Sequence, residues 1–439
     1  MSLTEHLPER EIPDDFVCEC AGRRWWKRRP RGTQWIQTDE KAVYGELMER
    51  GYDIKGRPNS EADKVRRKIM EKYQVSVALA LAGMRAGIKS FNGRTNILIT
   101  DDSKRVTPVK GSWDTIKKVL TNLLVSKDKA DPAGTKQLDV FHSWMKIALE
   151  DQFAEVTSIS GQALALAGPP ACGKSFVQHR IITPIMGGEG CRPNQYMTGG
   201  TTFNEDLASA GHWILEDESS STDGRSRRAF GNQLKSATVN QDMRVHGKGA
   251  KAVMVQLKCR VSISLNDEPD NLSGLPLMDP SIVDKIHLLR CFKSFDNASS
   301  DLNARAALET AIAEEIPGYA YWLLNEFQIP EELRDPRFGV LAYVHPVLKL
   351  SMEELQDETE LWEYIQYTFF SGNQQEHTLT ASEIHATLTA PGAAFEKLAL
   401  KLLPRNNTCG TLLRALSHSH PELVEKSGAK KWLLKRPKS

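Results

Sequence analysis

The stretch Ala163 to Ser175, ALALAGPPACGKS, is an apolar run that breaks at a Gly-Pro-Pro turn and closes on Gly-Lys-Ser. It reads as strand, loop and helix start. Gly168, Pro169, Pro170, Ala171, Cys172, Gly173, Lys174 and Ser175 fit GxxxxGK[ST] in the context that pattern needs. In such a loop the glycines let backbone N–H groups curl around phosphate oxygens, and the helix N-terminus adds its positive dipole end. Lys174 then reaches the β- and γ-phosphates, and Ser175 offers its hydroxyl to Mg²⁺. Many unrelated chemistries use this loop, so the rest of the chain decides what a bound triphosphate would be used for.

Downstream, His212–Glu218 (HWILEDE) is an apolar strand ending in three acids. A carboxylate at a strand end can hold Mg²⁺ through water while its neighbour polarises the attacking water. The register favours Asp217 for the metal and Glu218 for the base, with Glu216 and Asp217 as the other pairing. A further β-rich run, RVSISLNDEPD, carries Asn266 at its tip, where an amide can hold a water and sense the γ-phosphate. Between these strands, NQDMRVHGKGAKAVMVQ reads as a hairpin. Met243 and Val245 alternate on one arm, Val253 and Val255 on the other, and Gly247 and Gly249 free the turn. Arg244, His246, Lys248 and Lys251 gather near its tip, which suits gripping a sugar-phosphate backbone without reading bases.

The bulk composition belongs to a folded protein. The 439 residues, 40% hydrophobic and 26% charged, imply two or three domains with a large core, at roughly 150 residues per domain. Seven cysteines are scattered without a Cys-x-x-Cys pair, which disfavours zinc. No apolar run approaches the ~18 residues of a membrane span, and the polar N-terminus is unlike a signal peptide, so a cytoplasmic location and no membrane partner are expected. The net charge of +1 hides two basic stretches, RRWWKRRPR at Arg23–Arg31 and the tail from Lys426 onward. Such clusters attract phosphate backbones, and tryptophans among them can stack on bases.

Alternating strands and helices between about 155 and 295 predict an α/β core with a parallel sheet and helices on both faces. Four regions are expected: 1–150, an N-terminal, mostly helical collar for assembly or DNA loading; 151–298, the core; 299–370, a helical lid or connector; and 371–439. In the first, Thr38 is placed to cap a helix ended by Gly51, a second helix is read from Asn59 to Gly83, and RTNILITDD reads as a strand.

The order of phosphate loop, acidic strand, basic hairpin and Asn-tipped strand resembles the superfamily 3 helicases of the AAA+ class. Most similar is the helicase part of phage and mobile-element primase-helicases. The resemblance rests on ALAGPPACGKS, TGGTTFNEDLASAGHWILEDE, FGNQLKSATVNQDMRVHGKG and SISLNDEPDNLSGLPLMDPSIVDKI, with LAGMRAGIKSFNGRTNILIT upstream, and spans residues 80 to 345. It implies a AAA+ P-loop fold, ATP and Mg²⁺ as cofactors, and a homo-hexameric ring with ATP bound between subunits. It also implies 3′-to-5′ translocation on single-stranded or forked DNA, with His246 and Lys248 in the channel. An arginine finger is expected after the Asn strand, where Asp284-Lys285 stands instead, leaving Lys285 or Arg290 for that role. No primase constellation is present in the N-terminal region, so a separate primase or replication initiator is an implied partner. CGTLLRALSHSHPELVEKSGAKKWLLKRP, after a Thr380 cap, resembles a winged helix, with Arg414 and His418 on its recognition helix and Lys430 and Lys431 in its wing; it suits DNA contact or protein docking. Two other readings are open: a AAA+ ATPase that binds and remodels an origin without processive unwinding, and a small-metabolite kinase, which Asn266 and the hairpin disfavour.

Overall fold

The computed structural model describes residues 12–20, 23–55, 59–91, 95–131, 133–154, 161–216, 224–239, 243–247, 252–272, 274–276, 281–292, 302–372 and 374–437. At its centre lies a five-stranded parallel sheet whose spatial order is Ile286–Arg290, Ala163–Ala167, Arg260–Leu265, His212–Leu215 and Gly190–Cys191. ALALA, HWIL and RVSISL are buried along their whole lengths. Burial on both faces along the whole strand is what a covered sheet demands, and in RVSISL it takes in the polar alternates Arg260, Ser262 and Ser264 as well. In chain order the strands stand 5-1-4-3-2. The Asn-tipped strand is therefore inserted directly beside the phosphate-loop strand, with Leu265 paired to Ala167. Ligands of open α/β sheets sit beyond the carboxyl ends of strands where the winding reverses, and here that is the end of Ala163–Ala167.

Helices Asp114–Leu124, Lys136–Phe153 and Leu302–Asn325 close one large core with this sheet. Leu164, Leu166 and Leu289 from the strands meet Trp144, Ile181, Ile316 and Tyr319 there. The helical segment after the phosphate loop runs from Lys174 to Ile185 and carries a π-helical stretch at Gln178–Ile182. That stretch turns the Gln178 amide inward, where it donates to Ser262 Oγ at 2.7 Å; Ser262 meets His212 Nε2 at 2.7 Å, and His212 Nδ1 meets Thr183 Oγ1 at 2.8 Å. Two strands and the loop's helix are thus pinned through polar groups, a high-stakes arrangement in a low dielectric. A second buried polar contact joins Arg260 Nη1 to Asp151 Oδ2 at 3.0 Å, with both side chains almost wholly out of water.

The N-terminal region differs from the mostly helical expectation. Among the described residues, seven strands and two helices lie between Phe16 and Ile99. Phe16–Glu19, Arg24–Arg28, Trp35–Thr38 and Gln74–Val75 form one sheet, and Val77–Leu79, Thr95–Ile99 and Gly87–Phe91 another. RWWKR is a strand, with Trp25 in the core, Lys27 half-buried against Glu46 and Arg28 exposed. The helix read from Asn59 to Gly83 stops at Lys72, because the β-branched run QVSVAL pairs as strands instead. Asp39, not Thr38, caps helix Glu40–Glu49, accepting from the Ala42 N–H at 2.8 Å.

Contacts divide the chain into two compact units, Met1–Asn266 with Leu275–Val344, and Asp267–Gly274 with His345–Ser439. In the second, helix Pro346–Phe369 and helices Ala381–Leu388, Glu396–Leu402 and Asn406–Ser419 share a core with a three-stranded antiparallel sheet. The sheet order is Glu376–Thr380, Lys431–Lys435, Val424–Lys426. Thr380 does cap its helix, in a reciprocal box with Glu383. Among the described residues no helix is long and apolar enough to cross a membrane.

Candidate functional site

The loop's backbone carries the strain that a phosphate cradle uses. Ala171 at φ 56° and Gly173 at φ 108° are both left-handed, and helical geometry starts at Lys174. Turns of this kind aim successive N–H groups into one concavity. Gly168 is required for another reason. A Cβ there would lie 2.5 Å from the Cys291 carbonyl oxygen and 2.7 Å from Cys291 Cβ. Cys291 cannot retreat, since its N–H donates to the Ala167 carbonyl at 2.6 Å.

Lys174 is 8% exposed, yet its ammonium has three acceptors: Gly168 O at 2.6 Å, Pro169 O at 2.9 Å and Asn266 Oδ1 at 3.1 Å. An ammonium only donates, so the Asn266 oxygen must face it. Two residues 92 positions apart are therefore in direct contact at the carboxyl edge of the sheet. Ser175 is exposed at the second helical position. Cys172, fully buried under the loop, has its thiol pulled below the usual range by a hydrogen bond with Cys291 and by the Lys174 charge, against the opposing effect of burial.

The other predicted residues fall in three groups. Glu216 follows the acidic strand at the same edge and accepts from Arg192 Nη2 at 2.6 Å, with His179 Nε2 at 3.4 Å. It is engaged by side chains from the loop's own helix and from the segment before Asn194. Asp217 and Glu218 lie outside the described residues, as do Lys248 and Lys251. Arg290 ends the edge strand opposite Ala167, beside the loop, with its guanidinium 3.7 Å from Asp131 and its backbone held at both N–H and C=O by Gln137. Lys285 stands at the other end of that strand, 8% exposed, its ammonium on Asp284 at 2.5 Å; the exposed Arg337 reaches the same carboxylate at 3.3 Å.

The hairpin is present as Met243–Val245 paired with Val253–Val255. Val245, Val253 and Val255 pack on the N-terminal sheet around Leu79, Ile97 and Ile99, which leaves Arg244 and its cross-strand partner Met254 on the exposed face. His246 is fixed through its backbone, its N–H donating to Asn204 Oδ1 at 2.8 Å, and its ring lies 5.0 Å from the exposed Phe203. In the second unit Arg414 and His418 are exposed on helix Asn406–Ser419, and Lys430 and Lys431 are exposed at a turn whose Gly428 has φ 89°.

Sequence reasoning did not find Arg192, His179, Gln137, Asp131, Cys291 or Arg337. Each acts across 24 to 159 positions with no local pattern around it; only Arg337, in the charged segment RDPRF, carried any signal.

Residues 166–275 match a protein family described as "Family of unknown function (DUF5906)". No curated protein matches the chain. Among solved structures, an apo structure of the NrS-1 C terminal region aligns over 96% of this chain and 95% of its own, with a TM-score of 0.52 and 15% identity. An A form apo structure of the same region aligns over 96% of each chain, with a TM-score of 0.51 and 13% identity. This chain therefore has the fold of that region across nearly its whole length. A third structure, reported as "SCCmec type IV Cch - active helicase", aligns over 93% of this chain and 72% of its own with a TM-score of 0.31 and 8% identity, a level from which a shared fold does not follow.

Proposed function

We propose that the chain is an ATP-dependent DNA helicase of the superfamily 3 type, working as a homo-hexameric ring that moves 3′ to 5′ on single-stranded DNA in replication of a phage or mobile element. The observation that carries the reading is the contact of Lys174 with Asn266 at the strand-order reversal, with a basic hairpin inserted in the chain between the acidic strand and Asn266. The residues present fit a magnesium nucleotide: a left-handed loop, a glycine packed too closely for any side chain, a desolvated ammonium and an exposed helix-start hydroxyl.

When bound, the triphosphate supplies the phosphoryl group and a site for Mg²⁺. Lys174 exchanges its carbonyl acceptors at Gly168 and Pro169 for phosphate oxygens, and Ser175 and Asp217 hold the metal. Glu218, or Glu216 in the alternative pairing, orients the attacking water. Asn266 loses its donor as Lys174 turns toward phosphate, so occupancy of the loop is reported to the strand that follows the hairpin. Arg244, His246, Lys248 and Lys251 hold the sugar-phosphate chain, and DNA also meets Arg414, Lys430 and Lys431 of a winged-helix-like unit. A finger from a neighbouring subunit completes the site, and a separate primase or initiator is the partner.

One observation favours the second reading, a AAA+ ATPase that remodels an origin complex without processive unwinding. Lys285 is buried on Asp284 and Arg290 lies 3.7 Å from Asp131, so among the described residues both finger candidates face an acid of their own chain, and hydrolysis would be slow. Forked-DNA unwinding separates the two. The helicase releases the labelled strand with ATP, whereas the remodeller hydrolyses ATP and releases none; turnover that follows a small metabolite and ignores DNA would sink both.

A further inference from the structure

Of the six basic residues in RRWWKRRPR, three are neutralised where they stand. Arg24 Nη2 lies 2.6 Å from the buried Glu19, Lys27 Nζ lies 2.5 Å from Glu46, and Arg28 Nη2 lies 3.3 Å from Asp14. The tryptophans are occupied as well. Trp25 and Trp35 are buried, and Trp26 gives its indole N–H to Glu19 at 3.1 Å. Trp26 is half-buried against the cluster of Val17, Trp35 and Leu98, so charge is the main means by which this stretch would hold a ligand.

What stays free is the turn between Arg24–Arg28 and Trp35–Thr38. The Gly32 N–H donates to Arg29 O at 3.2 Å and closes Arg29-Pro30-Arg31-Gly32. Pro30 occupies the second position, as such turns favour, but the third, which needs positive φ and ordinarily carries glycine, is Arg31 at φ 62°. A side-chain-bearing residue is strained there, and the glycine sits one place too late to relieve it. Arg29 and Arg31 are exposed and make no side-chain hydrogen bond or ion pair among the described residues. They border an open cleft of ≈ 670 Å³ whose two acids, Asp15 and Glu46, are already paired to Arg50 and Lys27. The cleft therefore has surplus positive charge and a strained arginine at its rim. Strain of this kind concentrates at ligand clamps.

We propose that the Arg29–Gly32 turn is a phosphodiester-binding site for single-stranded DNA, distinct from the 243–255 hairpin and blind to sequence. The inference rests on the DNA-translocating reading above. The test uses the full chain and a fluorescent thirty-nucleotide oligo(dT), with binding followed by anisotropy over a salt series. In the variant Arg29→Ala/Arg31→Gly, losing two phosphate contacts should flatten the log–log salt slope by about 1.4 and weaken binding roughly 25-fold at 0.1 M salt. The melting temperature should hold or rise, since glycine relieves φ at position 31. Arg29→Lys/Arg31→Lys should restore most of the affinity, which a merely structural role would not predict. If wild type binds and Arg244→Ala weakens it while the turn variant matches wild type in affinity and slope, this inference alone falls, and the turn is left to an acidic protein surface. If wild type does not bind the oligonucleotide at all, the DNA reading falls with it.

Discussion

Gly168→Ala is the substitution whose consequence follows most directly from the geometry. The added methyl would stand 2.5 Å from the Cys291 oxygen, whereas ordinary contact begins near 3.4 Å, so the two backbones must part by about 1 Å. Neither side can give freely. Gly168 donates to Leu265 O at 3.2 Å, and Cys291 is tied to Ala167 and, through its neighbour Phe292, to Leu123 O at 2.8 Å. Overpacking of this kind costs about 1–3 kcal/mol, a fall in Tm of roughly 2–12 °C for a large domain. The larger effect should be functional. A shift of about 1 Å in the phosphate cradle lowers kcat/KM for ATP by around 10²-fold. Gly231→Ala is the control: its methyl would meet Ile282 Cδ1 and Pro276 Cβ at an ordinary 3.6 Å, and replacing a mid-helix glycine should stabilise by about 0.5–1 kcal/mol. Differential scanning fluorimetry and steady-state hydrolysis read both variants. A Gly168→Ala protein with wild-type Tm and wild-type turnover would refute the packing argument.

Three further outcomes are expected. Arg260→Leu leaves the Asp151 carboxylate without its ion-pair partner Arg260 in a dry core and should cost about 3–5 kcal/mol in urea unfolding, while Arg260→Leu/Asp151→Leu should recover most of that; equal losses in both would contradict the pair's role. Burial holds His142, His212 and His287 neutral, each down at about 3, whereas the unfolded chain titrates near 6.5. The fold binds fewer protons than the unfolded chain between these values, so stability is complete well above pH 6.5 and declines toward pH 3, by roughly 1 kcal/mol per histidine at pH 5.5. A urea midpoint unchanged between pH 7.5 and 5.5 would refute it. Arg192→Ala releases Glu216 from its closest partner at a solvent-facing site and should leave Tm within about 1 °C while changing turnover; a large loss of stability would make that contact structural.

Much of the core was legible because its signals are local. The apolar run and Gly-Lys-Ser around the loop, the alternation of Met243–Val245 against Val253–Val255, and the strand before Asn266 each lie within a dozen residues, and each formed the expected element. The contacts that hold the site together are long-range. Lys174 meets Asn266 across 92 positions, Gln137 clamps Arg290 across 153, and Cys291 sets the identity of Gly168 from just beyond a strand whose sequence announces no such role. In the N-terminal sheets RTNILITDD was legible and forms Thr95–Ile99, whereas the other strands, of two to five residues, are too short for periodicity to separate from helix, and RWWKR spends its tryptophans on packing.

The central claim is that Lys174 binds the triphosphate and that the energy is used on DNA. The most direct test is steady-state ATP turnover with and without oligo(dT), for wild type and Lys174→Ala side by side. The account predicts turnover that rises with single-stranded DNA in the wild type and is lost in a Lys174→Ala protein of unchanged circular dichroism. Turnover indifferent to DNA, or surviving Lys174→Ala, would contradict it.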